Sequence, residues 1–114
     1  MQSDYQTIEL KISNNVATIW LNRPDVHNAM NEKLIEELTA CFVGLNSNNE
    51  ARVVLLRGHG KSFCAGADLN YMKGIAGFGY QENYQDSLKL AKCFNVIYTC
   101  RKPTIALVHG AAIG

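Results

Sequence analysis

Val53-Val54-Leu55-Leu56-Arg57-Gly58-His59-Gly60-Lys61-Ser62-Phe63-Cys64-Ala65-Gly66-Ala67-Asp68-Leu69 carries an apolar run into a small-residue loop and then into a helix start. Its first four residues are continuously apolar, the pattern of a strand buried on both faces. The side chains at Ala65, Gly66 and Ala67 are too small to shield the main chain, so the loop can offer bare backbone N–H groups to a ligand. Asp68 is a good N-cap for a helix beginning at Leu69. Donors at a helix start suit a developing negative charge.

On the N-terminal side, Tyr5 to Ile12 alternates, with Ile8, Leu10 and Ile12 on one face and Thr7, Glu9 and Lys11 on the other. Ser13-Asn14-Asn15 supplies a turn before Val16 to Leu21, which predicts a β-hairpin. Asn22-Arg23-Pro24-Asp25 breaks the second strand. Apolar residues at Met30, Leu34, Leu38, Cys41, Phe42 and Leu45 then recur at helical spacing and predict a helix from about Asn28 to Leu45.

On the C-terminal side, three glycines between Gly74 and Gly79 mark a connection, readable as a hinge or as a plain solvent loop. Leu88, Ala91, Phe94 and Ile97 mark a second long helix. Pro103 closes the linker behind it, Thr104 to Val108 reads as a short strand, and His109-Gly110-Ala111-Ala112-Ile113-Gly114 is another strand running into a small-residue turn. The β-β-α-β-α-β order indicates an α/β domain. A last strand ending inside such a turn lacks the helix that should cover it, so the 114 residues are read as a fragment.

Composition narrows the partners. With 47% hydrophobic and 18% charged residues the chain is an ordinary globular sequence. Eleven basic against ten acidic residues leave +1, so nothing suggests a nucleic acid held by net charge, and a moonlighting nucleic-acid role is disfavoured. No apolar run reaches signal-peptide or membrane-spanning length. Cys41, Cys64, Cys93 and Cys100 form no C-x-x-C pair and no zinc-ligand spacing with the three histidines, so no metal is expected. Reduced, mostly buried thiols in a soluble cytoplasmic protein are the expectation.

Two strand-to-small-turn junctions, around Ala67 and after Gly114, can face each other across neighbouring strands and each supply a backbone N–H to one oxygen. That arrangement is an oxyanion hole. When a thioester loses its α-proton or is attacked at the β-carbon, charge moves onto the carbonyl oxygen. Preorganised donors stabilise it there, each worth ~2.7–4 kcal/mol in the transition state.

Three segments carry a family resemblance: Ile19-Trp20-Leu21-Asn22-Arg23-Pro24 with Asn28-Ala29; Ser62-Phe63-Cys64-Ala65-Gly66-Ala67-Asp68-Leu69; and Lys102-Pro103-Thr104 with His109-Gly110-Ala111-Ala112-Ile113-Gly114. In order and spacing they resemble the enoyl-CoA hydratase/isomerase (crotonase) family. The resemblance implies the N-terminal core, residues 1–114, of a crotonase (ClpP-like) spiral of β-β-α units, with a C-terminal helical oligomerisation region beyond it. It implies an acyl-CoA substrate, no separate cofactor because coenzyme A is part of the substrate, and an intact protein that assembles as a homotrimer or a hexamer.

The same resemblance implies that the Ala67 N–H is one oxyanion donor and that the second is the residue after Gly114, in the turn containing Gly110 and Gly114. It places coenzyme A near Val26 and His27 and against Ala65, Ala67, Asp68, Leu69 and Asn70. Hydratases of the family use two glutamates downstream of that second donor. Glu32, Glu36, Glu37, Glu50 and Glu82 do not match them. Tyr5-Gln6-Thr7-Ile8-Glu9-Leu10, Asn70-Tyr71-Met72 and Gly79-Tyr80-Gln81-Glu82-Asn83 look more like methylglutaconyl-CoA hydratases of leucine and isoprenoid breakdown than like short-chain enoyl-CoA hydratases. Isomerases and hydrolases share the scaffold, and a non-catalytic acyl-CoA-binding or assembly module is the reading from another class.

Blander readings stand beside these. Gly60-Lys61-Ser62 fails as a phosphate-binding loop because Leu55 stands where a glycine is needed, so Lys61 is a surface residue. Asp68 reads as a cap and not a base. Cys64 has no base placed to activate it and reads as packing. His27 and His109 are open between structural and functional roles, His59 reads as solvated, and Arg23 has no assigned role. Tyr71, Met72 and the apolar side of the Leu88 to Tyr98 helix line either an acyl pocket or ordinary core.

Overall fold

A computed structural model describes residues 4–77 and 79–113. Strands β1 (Ile8–Ser13) and β2 (Val16–Leu21) form the predicted antiparallel hairpin. Its turn holds Asn14 and Asn15 at φ of 53° and 66°, the left-handed region that asparagine tolerates better than most residues. After a single 3-10 turn, Pro24–Val26, the chain enters α1 (Glu32–Asn46), β3 (Val53–Gly58), α2 (Leu69–Ile75), α3 (Tyr80–Tyr98) and β4 (Thr104–Ala106). The sheet order is β1-β2-β3-β4, with β3 parallel to both neighbours, so α1 and then α2 with α3 make the two crossovers.

One sheet face is covered. Ile8, Ala17, Ile19, Leu21 and Val54 meet Leu34, Ile35, Leu38, Cys41, Phe42 and Leu45 of α1, and all are buried. Side chains alternate across a strand, so Glu9, Trp20 and Arg57, aligned through the register of β1, β2 and β3, share the other face. There the Arg57 guanidinium lies 4.3 Å from the Trp20 ring centre.

The structure corrects several expectations. α1 begins at Glu32, not near Asn28, because Asn31 caps it by accepting from the Leu34 N–H at 2.9 Å, while Asn28 is left-handed at φ 58°. In β3 only Val54 among the four apolar residues is buried; Val53, Leu55 and Leu56 are half-buried because helices cover one face of the sheet. β4 ends at Ala106 and not Val108, although the Leu107 N–H still reaches the Leu56 carbonyl at 2.9 Å. On α3 the residues that mark the helix, Leu88, Ala91, Phe94 and Ile97, divide between solvent, cavity and core. Leu88 and Phe94 are exposed, while Cys93 is buried and Leu90, Val96 and Ile97 pack beside it.

Glu37 is the one buried carboxylate of α1, and it joins the helix to the chain leading into β1. It accepts from the N–H of Gln6, and from the N–H and Oγ1 of Thr7 at 2.7 and 2.5 Å. Burial alone would favour the neutral acid, but the donors from Thr7 and Gln6 outweigh it and hold the carboxyl below its ordinary range.

Candidate active site

The loop after β3 is set by what lies beside it. Residues 27–30 run along residues 65–68: the Ala65 N–H donates to the His27 carbonyl at 3.0 Å, the Met30 N–H to the Gly66 carbonyl at 2.7 Å, and the Asp68 N–H to the Met30 carbonyl at 2.9 Å. Met30 and Ala67 therefore face each other as a parallel bridge. In that pairing Met30 is engaged through the two neighbours of Ala67, so the Ala67 N–H and carbonyl point the opposite way. Among the described residues that N–H has no acceptor. Gly66, at φ 91°, makes the bend that presents it.

The second small-residue turn lies on that opposite side. The Cys64 N–H donates to the Ala111 carbonyl at 3.1 Å and the Ile113 N–H returns to the Cys64 carbonyl at 2.9 Å, a parallel bridge between Cys64 and Ala112. Gly110, at φ 60°, passes so close that a Cβ on it would sit 2.1 Å from the Lys61 carbonyl oxygen, so no other residue fits there. The loop after β3 and the segment Gly110 to Ile113 thus stand side by side. Gly114 lies outside the described residues.

Between them opens an apolar cavity of about 420 Å³, walled by Met30, Phe63, Ala67, Tyr71, Phe94 and Ile113, with Cys64 also at its surface. That volume suits a small organic group. Of the residues considered for such a pocket, Tyr71 and Phe94 line it, whereas Met72 is exposed elsewhere. Among the described residues no carboxylate lines it. No three His, Cys, Asp or Glu side chains of the described chain gather where they could hold a metal ion. No helix of the described residues is long and apolar enough to cross a membrane.

The remaining candidates fall into one surface strip. Val26 is 41% exposed, His27 is exposed in a left-handed conformation with Nδ1 3.1 Å from Ser62 Oγ, and the Ala65 N–H ties this segment to the loop. Leu69, 74% exposed, and exposed Asn70 open α2 next to Ala67. The Asp68 carboxylate is already engaged. Its Oδ1 accepts from the Tyr71 N–H at 3.0 Å, capping α2, and its Oδ2 pairs with Arg23 at 3.1 Å. The Tyr71 N–H and then the Arg23 guanidinium hold the Asp68 carboxyl below its usual range against its burial.

Sequence reasoning missed how the loop is pinned. Asn28 is fully buried; its Oδ1 accepts from the Arg23 N–H at 2.8 Å and its Nδ2 donates to the carbonyls of His59, Ser62 and Phe63 at 2.9, 2.9 and 3.2 Å. Arg23 adds a bond from Nη1 to the Ala29 carbonyl at 2.5 Å, which gives that residue the role it lacked. A polar residue beside the Arg-Pro break, of a type that accepts positive φ, was the available signal. His59 is also corrected: it is not merely solvated but stacks on Trp20, ring centres 4.4 Å apart and 8° from coplanar, with Nε2 3.3 Å from Glu9. His109 Nε2 lies 2.8 Å from the Gly60 carbonyl, a contact that fixes one turn to the other.

The chain is similar to known proteins in sequence and fold. The family model described as Enoyl-CoA hydratase/isomerase matches residues 11–114. A Rhodobacter capsulatus protein named "Probable enoyl-CoA hydratase" is 39% identical over 115 residues, covering 96% of this chain and 41% of its own length. A mitochondrial Delta(3,5)-Delta(2,4)-dienoyl-CoA isomerase of Mus musculus is 34% identical over 123 residues, covering 97% of this chain and 37% of its own. The crystal structure of an enoyl-CoA hydratase from Shewanella pealeana superposes with a TM-score of 0.93 at 35% identity, over 96% of this chain and 41% of that one. The chain spans about two fifths of the length of these relatives.

Proposed function

The chain belongs to the enoyl-CoA hydratase/isomerase family and has the crotonase fold, and from that premise we propose that it forms the oxyanion side of an enzyme that hydrates a 2-enoyl-CoA thioester. The observation that carries this reading is the Ala67 N–H, which lacks an acceptor among the described residues and stands beside an apolar cavity. With the thioester oxygen against that N–H, the acyl chain enters the cavity and coenzyme A runs along Val26, His27, Ala65, Asp68, Leu69 and Asn70. Water adds at the β-carbon, electrons pass through the conjugated system to the thioester oxygen, and the fixed N–H stabilises the enolate before it is protonated at the α-carbon. The second donor in this reading is the residue after Gly114. The acid/base pair comes from residues beyond these 114, in keeping with Glu37 being bound in the core and Glu32 and Glu36 lining a separate polar cleft.

Finer readings of the same proposal are 3-methylglutaconyl-CoA as the substrate, and a homotrimer or hexamer as the assembly. An isomerase shares the enolate and differs only in moving a proton where the hydratase adds water; the dienoyl-CoA isomerase among the relatives favours keeping it as the second reading. A hydrolase would use the same open donor for its tetrahedral intermediate, whereas a non-catalytic acyl-CoA-binding module fits less well with it. The test uses the full-length protein with crotonyl-CoA, following loss of the conjugated thioester absorbance. Ala67→Pro removes the donor and is expected to lower kcat about 10²–10³-fold. Unchanged turnover in a folded Ala67→Pro protein ends the role given to that N–H; double-bond migration without hydration turns the assignment to the isomerase.

A further inference from the structure

The open Ala67 N–H is one end of a longer series of hydrogen bonds. The peptide bonds of the described residues are all trans, so the carbonyl and the N–H of one peptide group point in opposite directions. The peptide group that carries the Ala67 N–H has the Gly66 carbonyl at its other end, and that oxygen accepts from the Met30 N–H at 2.7 Å. The Met30 N–H shares its own peptide group with the Ala29 carbonyl, which accepts from Arg23 Nη1 at 2.5 Å. Two peptide groups therefore lie in series between a guanidinium and the open donor. Each turns its oxygen toward the cation and its N–H away from it.

Arg23 is held where this series needs a charge. Its side chain is only 19% exposed, and the same Nη1 meets Asp68 Oδ2 at 3.1 Å, which keeps the guanidinium from turning away. The carboxylate offsets part of the charge, but the bond to the Ala29 carbonyl is the shorter of the two. An ionised donor makes a stronger hydrogen bond than a neutral one. Hydrogen bonds in series polarise one another, by about 10–30% per bond. Arg23 thus draws electron density toward the Ala29 oxygen, which makes the Met30 N–H a stronger donor; Met30 does the same to the Gly66 oxygen, and so to the Ala67 N–H. The Met30 bond also sets a direction. By fixing the Gly66 oxygen it fixes the N–H on the far side of the same plane, while the Ala65 and Asp68 N–H bonds hold the loop on either side.

We propose that Arg23 is a positioning residue for the oxyanion donor, aiming and polarising the Ala67 N–H through the Ala29-Met30 and Gly66-Ala67 peptide groups. This rests on the acyl-CoA reading above and supplies the origin of the donor's strength. The experiment reads the thioester carbonyl. Butyryl-CoA, a saturated thioester that cannot be hydrated, is labelled with carbon-13 at its carbonyl and bound to the full-length protein and to its Arg23→Gln and Arg23→Lys variants. Infrared spectroscopy follows the carbonyl stretch, calorimetry gives the Kd, and hydration of crotonyl-CoA gives kcat and KM.

The native protein is expected to lower the stretching frequency of bound butyryl-CoA below that of the free thioester. Arg23→Gln removes the cation and should lose roughly a third or more of that displacement and lower kcat about fivefold, with Kd and KM changed less than about threefold. Arg23→Lys restores a cation on a shorter stem and should keep more of the displacement, and more of kcat, than Arg23→Gln. A residue that only braced the fold would leave the frequency of an equally well-bound ligand unmoved. A native displacement that Arg23→Gln leaves intact overturns the proposal and spares the oxyanion reading. Loss of more than about half the displacement in Arg23→Lys overturns it too, and decides the matter if Arg23→Gln does not fold. A displaced carbonyl without hydration of crotonyl-CoA would defeat the hydratase reading alone; no displacement in the native protein would defeat both the oxyanion reading and the proposal.

Discussion

α1 and α3 pack against each other, yet the shorter helix is the one the core depends on. Seven of the fifteen residues of α1 are buried, whereas of the described residues of α3, nineteen long, only Cys93 is. α3 leaves Leu88, Phe94 and Tyr98 exposed and gives one edge, Leu90 and Phe94, to the apolar cavity. Helix length is therefore a poor guide to what stabilises this fold. One helix serves the sheet, and the other serves the site.

Substitutions can break that division, and the largest effect is expected at Phe42, whose side chain is fully buried under the sheet. Phe42→Ala should cost about 3–5 kcal/mol in urea denaturation, because the surrounding core cannot collapse onto the space. A cost below 1 kcal/mol would mean that α1 is not the core helix. Next comes Glu37→Gln, expected to cost about 1.5–3 kcal/mol at neutral pH by weakening charge-assisted bonds from Thr7 and Gln6.

The pH dependence sharpens the same point. Because the folded pKa of Glu37 is depressed, its contribution is complete above the ordinary glutamate value of about 4.3 and is lost as pH falls through the folded value. The native protein should therefore lose stability on acidification more steeply than Glu37→Gln; parallel acid limbs for the two would show that this carboxylate does not carry it.

Asn31→Ala removes the cap of α1 and should cost about 1 kcal/mol, read from the same denaturation midpoint. Phe94→Ala, at a half-exposed position of α3, should stay within about 1 kcal/mol and instead weaken acyl-CoA binding. If Phe94→Ala destabilises as much as Phe42→Ala does, the contrast between the helices collapses.

The elements were largely legible from the chain. Alternation at Ile8, Leu10 and Ile12 and the Asn14-Asn15 turn encode the hairpin locally, and the spacing of Leu34, Leu38, Cys41, Phe42 and Leu45 encodes α1. The cap at Asp68 was equally readable, since an N-cap is a contact over three residues. Illegible parts depend on distant partners. Asn28 reaches carbonyls 31 to 35 residues away, Glu37 binds donors 30 and 31 residues away, and His59 stacks on a ring of the neighbouring strand. The stripe on α3 predicted the helix but not its burial, because periodicity reports which residues share a face, not which face meets the core.

The sequence by itself determined the α/β class, the order of elements and the two small-residue turns, because strand alternation, helical period and glycine freedom act over a few residues. Only the tertiary structure decided that those turns lie side by side, that the Ala67 N–H is left without an acceptor among the described residues, and that the Tyr71 hydroxyl of α2 is held by Asp86 of α3. Those are properties of chain segments brought together across the sheet. A backbone donor is open or used according to what packs beside it, and no local pattern states that.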